Sequence, residues 1–213
     1  MSFYVADRAG AGATRCQQHR LDARERTALV TGEGARTLVI GDSWSVGLGQ
    51  DDLGLSWARQ LAGEVHVAGF SGSGFSAHAS GCGRVSFHDR APRALGLRPE
   101  LVVVEGGLND WDQPAAAIEQ GFHALMADLA GQHVVVVGPA DAPARSHAVP
   151  RVDSLLAALS TEYGVPYIAT SDLNLTYLTD RLHLTDAGHR DFGEAVAERI
   201  DAVDPARPAV RTR

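Results

Sequence analysis

Four short motifs carry the residue types that acyl transfer to a serine requires. The motif "GDS" at 41–43 follows the apolar run "TLVI" and supplies a hydroxyl, while "DRLH" at 180–183 supplies an aspartate three residues before a histidine. Between them, "SG" at 71–72 and "GLND" at 107–110 supply a glycine turn and an amide. A serine hydroxyl is a poor nucleophile at neutral pH, so it needs a base and a site that stabilises an oxyanion. Together the motifs indicate nucleophilic catalysis by serine.

The spacing within "DRLH" suits a base and the group that orients it. An imidazole acts as a base only when its tautomer and orientation are fixed, and an aspartate does this in a catalytic triad. One loop then carries both Asp180 and His183, while Ser43 comes from elsewhere in the chain. Gly72 in its glycine-rich turn and the amide of Asn109 are the candidate donors to the oxyanion. Thr185 is the expected N-cap of the helix that follows.

The elements that must position these groups alternate along the chain. Apolar runs rich in β-branched residues alternate with longer helical patterns, which predicts an α/β fold with a parallel sheet between helix layers. The predicted strands are 37–42, 64–70, 101–106, 133–138 and 165–170, and the predicted helices are about 50–62, 114–131, 147–163 and 186–202. In a flavodoxin-like order 2-1-3-4-5, strands one and three are neighbours, so Ser43 and Asn109 should face one crevice at the carboxyl edge.

Taken in order, the four motifs resemble those of the SGNH hydrolases, also called GDSL esterases and lipases. The resemblance runs from about Thr37 to Ile200 and implies a three-layer αβα fold with five strands. Three positions depart from the family pattern: Trp44 follows the serine, Ala68 stands in the second block, and Leu184 follows the histidine. None of these changes touches a reacting group.

The resemblance also implies roles for the motif residues. Ser43 is the expected nucleophile, His183 the base and Asp180 its partner. The expected oxyanion hole consists of the N–H groups of Ser43 and Gly72 and the amide of Asn109. The implied reaction is hydrolysis of a small carboxylic ester through an acyl-serine, with no cofactor and no metal. Acyl transfer to another alcohol uses the same groups and stays open, and short acyl chains are expected because no long apolar insertion suggests a lid.

Two other kinds of site have partial support in the sequence. "GSGFSA" at 72–77 satisfies the dinucleotide-binding pattern and follows a strand, but it is the second strand, and no strand precedes the acidic Asp89. Asp180, His183, Asp186 and His189 recur every three residues and offer possible metal ligands. Three-residue steps drift around a helix, however, so we assign His189 a structural role and expect no metal.

Composition limits the partners. The 213 residues carry a net charge of -7, which offers no electrostatic footprint for nucleic acid. All 19 basic residues are arginine, which excludes Schiff-base chemistry and a lysine-dependent phosphate loop. No segment is apolar and long enough to span a membrane, and the N-terminus lacks the apolar core of an export signal, so we expect a cytoplasmic location.

The expected layout is a polar N-terminal extension over 1–36, a hydrolase domain over 37–203 and a frayed tail over 204–213. Cys16 and Cys82 are too few for a disulfide framework and form no CxxC pair, so we expect free thiols. The aromatic residues that flank the motifs could line an acyl pocket or belong to the core; they are Trp44, Phe70, Phe75 and Trp111.

Overall fold

The computed structural model describes the backbone of residues 3–203 and the side chains from residue 12 onward. The expected tail at 204–213 lies outside the described residues. Within the described part, no helix has the length and apolar character that crossing a membrane requires.

A five-stranded parallel sheet forms the centre of the fold. Its strands are β1 (Arg36–Gly41), β2 (Glu64–Gly69), β3 (Leu101–Glu105), β4 (Val134–Val137) and β5 (Tyr167–Ile168). They pair in the order β2-β1-β3-β4-β5. The predicted order is therefore confirmed, and each predicted strand overlaps an observed one. β3 and β4 are buried along their whole length, as expected for strands without polar alternation.

Helices cover both faces of the sheet. They are α1 (Phe3–Ala28), α2 (Ser43–Val46), α3 (Phe87–Ala94), α4 (Ala115–Asp128), α5 (Val149–Tyr163) and α6 (Asp186–Val203). Leu38 and Ile40 of β1 pack into a core with α3, α4 and α5. Val39, between them, belongs to a second core that includes residues of α6. This alternation follows from the two-residue period of a strand, and it completes the three-layer αβα architecture.

The predicted helices do not include α1 or α2, and two further segments differ from the prediction. The segment 50–62 forms two short 3-10 helices, Leu53–Leu55 and Trp57–Gln60, because the backbone of Ser56 is extended between them. The helix α3 is absent from the prediction, although Ser86 and Asp89 form a complete capping box at its start. The sequence signal for that box, a serine followed three residues later by an acid, lies in a short segment that also contains a proline.

The N-terminal segment packs against the edge of the sheet. Arg26 of α1 is fully buried and donates from Nε to Ser56 Oγ at 3.2 Å. Beyond the helix, Thr31 forms an antiparallel bridge with Val65 of β2. The polar, arginine-rich composition of this segment gives no sign of such packing, because its fixed contacts depend on a few residues such as Arg26.

A disulfide joins Cys16 of α1 to Cys82 in the loop between β2 and α3. The prediction of free thiols is therefore wrong. The two cysteines lie 66 residues apart in the sequence, and only the packing of α1 brings their Cα atoms to 5.4 Å. Arg20 adds a second tie, since its Nη2 donates to the carbonyl of Cys82 at 2.9 Å.

Removing this cross-link should destabilise the fold. We expect Cys16→Ser to lower the free energy of unfolding by about 2 to 4 kcal/mol, because the bond restricts a long loop in the unfolded chain. Urea titration without reductant measures the loss. Reductant should have the same effect on the wild type and none on the variant. Equal midpoints for the oxidised wild type and the variant would contradict this expectation.

Candidate active site

The structure brings Ser43, His183 and Asp180 together at the carboxyl edge of β1. Ser43 is the first residue of α2, separated from that strand by Asp42 alone, and only 6% of its surface is exposed. His183 Nε2 lies 3.2 Å from Ser43 Oγ, and His183 Nδ1 lies 2.6 Å from Asp180 Oδ2. One imidazole nitrogen can therefore accept a proton from the hydroxyl while the other donates to the carboxylate.

The loop 171–183 returns from β5 and holds His183 rigidly. Asp180 Oδ1 accepts the backbone N–H groups of Leu182 and His183, each at 2.9 Å. Burial opposes ionisation of this carboxyl, but the hydrogen bonds from His183 and the backbone keep the pKa of Asp180 below its ordinary value. Thr185 accepts the N–H of Gly188 at 3.1 Å, which confirms the predicted cap of α6.

Trp44 belongs to the core and connects the start of α2 to the loop that carries His183. Its ring packs edge-on against Phe192 of α6 at 5.1 Å between centroids, and its Nε1 donates to the carbonyl of Leu182 at 3.1 Å. The residue after the serine thus anchors the segment that carries His183. Four aromatic residues were predicted either to line an acyl pocket or to belong to the core. Trp44, Phe70 and Phe75 are buried, and of the four only Trp111 lines the cavity that adjoins Gly72 and Asn109.

Asp42, the acid of the first motif, organises the start of α2 and the amide of Asn109. Its Oδ1 accepts a hydrogen bond from the backbone N–H of Trp44 at 2.9 Å, and its Oδ2 accepts one from Asn109 Nδ2 at 3.1 Å. Asn109 Nδ2 also donates to the carbonyl of Ser73 at 2.9 Å. Burial raises the pKa of Asp42 to about 6, while the Trp44 N–H and the charges of His183 and Arg90 limit the rise.

These contacts fix the position of the Asn109 amide. Both of its hydrogens already have acceptors in this structure, so an oxyanion would have to share one of them. Ser43 and Gly72 differ in this respect. A helix start leaves the N–H of its first residue without an intrahelical acceptor, and this holds for Ser43. The N–H of Gly72 donates to no atom of the described residues.

The turn that carries Gly72 is held in place by Asp110, the last residue of the third motif. Asp110 is buried, and its carboxylate accepts the N–H groups of Phe75 at 3.0 Å and Ser76 at 2.8 Å. Burial raises the pKa of Asp110 to about 7. Gly72 itself has a φ of 81°, a left-handed conformation that favours glycine. Asn109 and Asp110 therefore both fix this turn.

A third buried acid, Glu105, contacts the helix that begins with Ser43. Glu105 at the end of β3 accepts Ser45 Oγ at 2.6 Å, and Trp57 Nε1 donates to the same hydroxyl at 3.2 Å. Burial and the nearby carboxylate of Asp42 raise the pKa of Glu105 well above its ordinary value. Gly41 permits this packing, because a Cβ at that position would overlap Ser45 Oγ.

The two competing kinds of site receive no support from the geometry. A dinucleotide motif requires a helix directly after its glycines, but residues 78–86 form turns and bends before α3 begins. His189 is buried and accepts the N–H of Trp57 on Nδ1 at 3.3 Å, away from the pair formed by His183 and Asp180. Among the described residues, no three side chains of His, Cys, Asp or Glu converge as metal ligands.

A cavity of about 590 Å³ adjoins the predicted oxyanion donors Gly72 and Asn109. Part of its wall is α1, and the rest comes from the loop that contains Cys82 and from residues on either side of α4 in sequence order. The lining residues outside the motifs include Arg15, Cys16, His19, Cys82, Trp111, Asp112 and Arg145. Of this set, sequence reasoning named only Trp111 as a possible lining residue, and it did not recognise the pair of cysteines as a signal for the rest.

Comparison with known families supports the motif resemblance. The model of the GDSL-like Lipase/Acylhydrolase family matches residues 39–190, which is most of the chain. The chain belongs to this family. It is therefore an enzyme of the GDSL acylhydrolase type, and the predicted family membership is confirmed. The match begins after α1, so that helix lies outside the part shared with the family model.

Solved structures of GDSL-type esterases have the same fold. The carbohydrate acetylesterase Est24 from Sinorhizobium meliloti aligns with a TM-score of 0.65 at 20% identity, over 80% of this chain and 100% of that chain. The inhibitor-bound aryl esterase of M. smegmatis aligns with a TM-score of 0.65 at 21% identity, over 79% of this chain and 99% of that chain. A search of curated protein sequences gave no significant match.

Proposed function

We propose that this GDSL family member is a serine esterase that hydrolyses small carboxylic esters through an acyl-Ser43 intermediate. The observation that carries the proposal is the chain of contacts from Ser43 Oγ to His183 Nε2 at 3.2 Å and from His183 Nδ1 to Asp180 at 2.6 Å. In this arrangement the hydroxyl has a base within reach, and the base has an orienting carboxylate.

In the proposed reaction, His183 takes the proton of Ser43 as Oγ attacks the ester carbonyl. The carbonyl oxygen becomes an oxyanion, which the N–H groups of Ser43 and Gly72 and the amide of Asn109 stabilise. His183 then passes its proton to the departing alcohol, and the acyl group remains on Ser43. Water, deprotonated by His183, attacks the acyl-serine and releases the acid, while His183 returns the proton to Oγ.

Acyl transfer is the second candidate, because an acceptor alcohol can take the place of water in the last step. A small acyl group is favoured by the similarity to a carbohydrate acetylesterase, an enzyme that removes acetyl groups. Rates with and without an added alcohol at constant water activity distinguish the two functions, since a transferase forms the new ester faster than the free acid.

The proposed function is tested by two measurements on the wild-type protein. A series of 4-nitrophenyl esters from acetate to palmitate should give the highest kcat/KM at short acyl chains. A fluorophosphonate probe should label the protein at Ser43, as read by peptide mass spectrometry. A maximum at ten carbons or longer would contradict the expected substrate size, and labelling at Ser45 or Ser71 would contradict the nucleophile.

Asn109→Ala should lower kcat by about a hundred- to a thousandfold, the usual loss for one oxyanion donor. KM should change little, because the donor acts mainly in the transition state. The contacts of Asn109 with Asp42 and Ser73 keep its amide oriented before substrate arrives. Steady-state kinetics on 4-nitrophenyl acetate measures both constants, and a change in KM alone would make Asn109 a binding residue.

The Cys16–Cys82 bond bears on the compartment in which the enzyme works. Disulfides form and persist in oxidising environments and are rare in reducing cytosol. The bond therefore favours an oxidising compartment over the cytoplasmic location expected from the sequence. Trapping free thiols in freshly lysed cells, followed by mass spectrometry of the peptides that contain Cys16 and Cys82, measures the oxidation state directly.

A further inference from the structure

The cavity lined by Gly72 and Asn109 carries an uneven set of charges. Arg15 of α1 and Arg145, from the segment between β4 and α5, both line it. Asp112 is the one acidic residue in the lining, and its carboxylate accepts Gln113 Nε2 at 2.8 Å. No carboxylate of the described residues lies within ion-pair distance of either arginine. Two arginines therefore line this cavity without an ion-pair partner in the described part of the chain.

Three lining residues also have buried polar atoms without a hydrogen-bond partner among the described residues. These atoms are His19 Nδ1, Ser71 Oγ and Arg145 Nε. A buried polar atom that stays unpaired costs free energy, so a ligand that pairs such an atom recovers that free energy on binding. Their presence around one cavity indicates that the cavity takes a polar group and disfavours a long hydrocarbon chain, which would leave all three unpaired.

Arg145 is positioned before any ligand arrives. Its guanidinium lies over the ring of Trp111 at 4.3 Å from the centroid, a contact that fixes the plane of the guanidinium. A fixed guanidinium plane suits two-point binding of a carboxylate or phosphate. Burial lowers the pKa of His19, so that imidazole is neutral at pH 7 and the arginines supply the positive charge of the lining.

We propose that this cavity binds an anionic group of the substrate, a carboxylate or a phosphate, through Arg15 and Arg145. The proposal rests on the proposed esterase function, because the same cavity is lined by the oxyanion donors Gly72 and Asn109. It narrows the substrate to a small polar ester that carries a negative charge. The negative net charge of the whole chain gives no general attraction for such a molecule, so the selectivity must arise locally.

Matched esters that differ only in charge test the proposal. On the acyl side, we compare the mono-4-nitrophenyl ester of glutaric acid with the same ester whose free carboxylate is a primary amide. On the alcohol side, we compare 3-acetoxybenzoate with 3-acetoxybenzamide. We expect kcat/KM to favour the charged member of at least one pair by about tenfold, and the pair that responds identifies the side of the ester that carries the charge.

Substitutions at the arginines should remove this preference. The double variant Arg15→Gln/Arg145→Gln should bring the ratio of charged to neutral ester close to one through a higher KM for the charged ester. Arg145→Lys should keep more of the ratio than Arg145→Gln, because it retains the charge. Arg93→Gln is the matched control: Arg93 is exposed on α3 and outside the cavity lining, so its loss should leave the ratio unchanged.

A binding measurement separates this proposal from the esterase proposal. By calorimetric titration, the Ser43→Ala protein should bind glutarate with a Kd about tenfold lower than its Kd for the neutral glutaramide. Adding the two arginine substitutions to Ser43→Ala should abolish this difference. Arginine-dependent glutarate binding without any ester hydrolysis by the wild type would refute the esterase and retain the anion site. A wild type that hydrolyses both members of each pair equally, or a preference that survives the double variant, would overturn the anion site and leave the esterase standing.

Discussion

His183→Gln is expected to lower kcat/KM for 4-nitrophenyl acetate by about ten thousandfold or more. Glutamine has no ring nitrogen that can accept the proton of Ser43 and return it to the leaving alcohol. The contacts at 3.2 Å to Ser43 and 2.6 Å to Asp180 would both lose their shared partner. Stopped-flow or steady-state rates at pH 7.5 on protein of verified fold measure the loss.

His189→Gln is the matched control for this variant. His189 lies in α6, six residues further along the chain, and is buried in the core. Burial lowers the pKa of His189 to about 4, so the imidazole stays neutral and has a packing role. The variant should keep activity within about tenfold of the wild type per folded molecule. EDTA should not change the wild-type rate. Equal inactivation of both histidine variants together with EDTA sensitivity would replace the serine mechanism with a metal site.

Ser43→Ala is expected to abolish turnover of every ester in the series, leaving at most a rate about a millionfold below that of the wild type. The substitution removes only the hydroxyl, and the backbone N–H at the start of α2 remains. We therefore expect the thermal midpoint to stay close to that of the wild type. Hydrolysis at high enzyme concentration and a melting curve measure the two effects.

Ser154→Ala is a suitable control for that experiment, because Ser154 is exposed on α5 and remote from the motifs in the chain. It should keep full activity and full labelling by the fluorophosphonate probe at Ser43. Loss of labelling in Ser43→Ala and retention in Ser154→Ala would tie the chemistry to one hydroxyl. Turnover by Ser43→Ala at more than a hundredth of the wild-type rate would contradict the nucleophile.

The parallel character of the sheet and the place of each motif at a strand end follow from local sequence. Apolar runs such as "LVVV" at 101–104 are buried on both faces and therefore predict central parallel strands. Parallel strands end at a common edge, so polar residues directly after them must meet there. With strands one and three as neighbours, this reasoning predicts that Ser43 and Asn109 face one crevice. His183 reaches the same crevice because the loop 171–183 runs back from the edge of the sheet.

Helix boundaries that depend on the conformation or contacts of one residue were harder to predict from the sequence. The extended backbone of Ser56 divides 50–62 into two short helices. The capping box at Ser86 begins a short helix whose interior proline hides it. Asp42 and Asp110 also gave no sequence signal for their positions in the site, because a buried acid that accepts backbone N–H groups has the same local sequence as an acid in an exposed turn.

The sequence by itself determined the class of sheet and the candidate groups Ser43, Asp180 and His183, because these depend on apolar periodicity and on motifs at strand ends. The strand order was taken from the flavodoxin-like pattern, which the structure confirms. Only the tertiary structure decided the disulfide and the wall of the cavity. Cys16 and Cys82 lie far apart in the chain, and Arg15 and Arg145 further still. Nothing local selects such partners, because their proximity results from the packing of α1 against a sheet formed entirely by later residues.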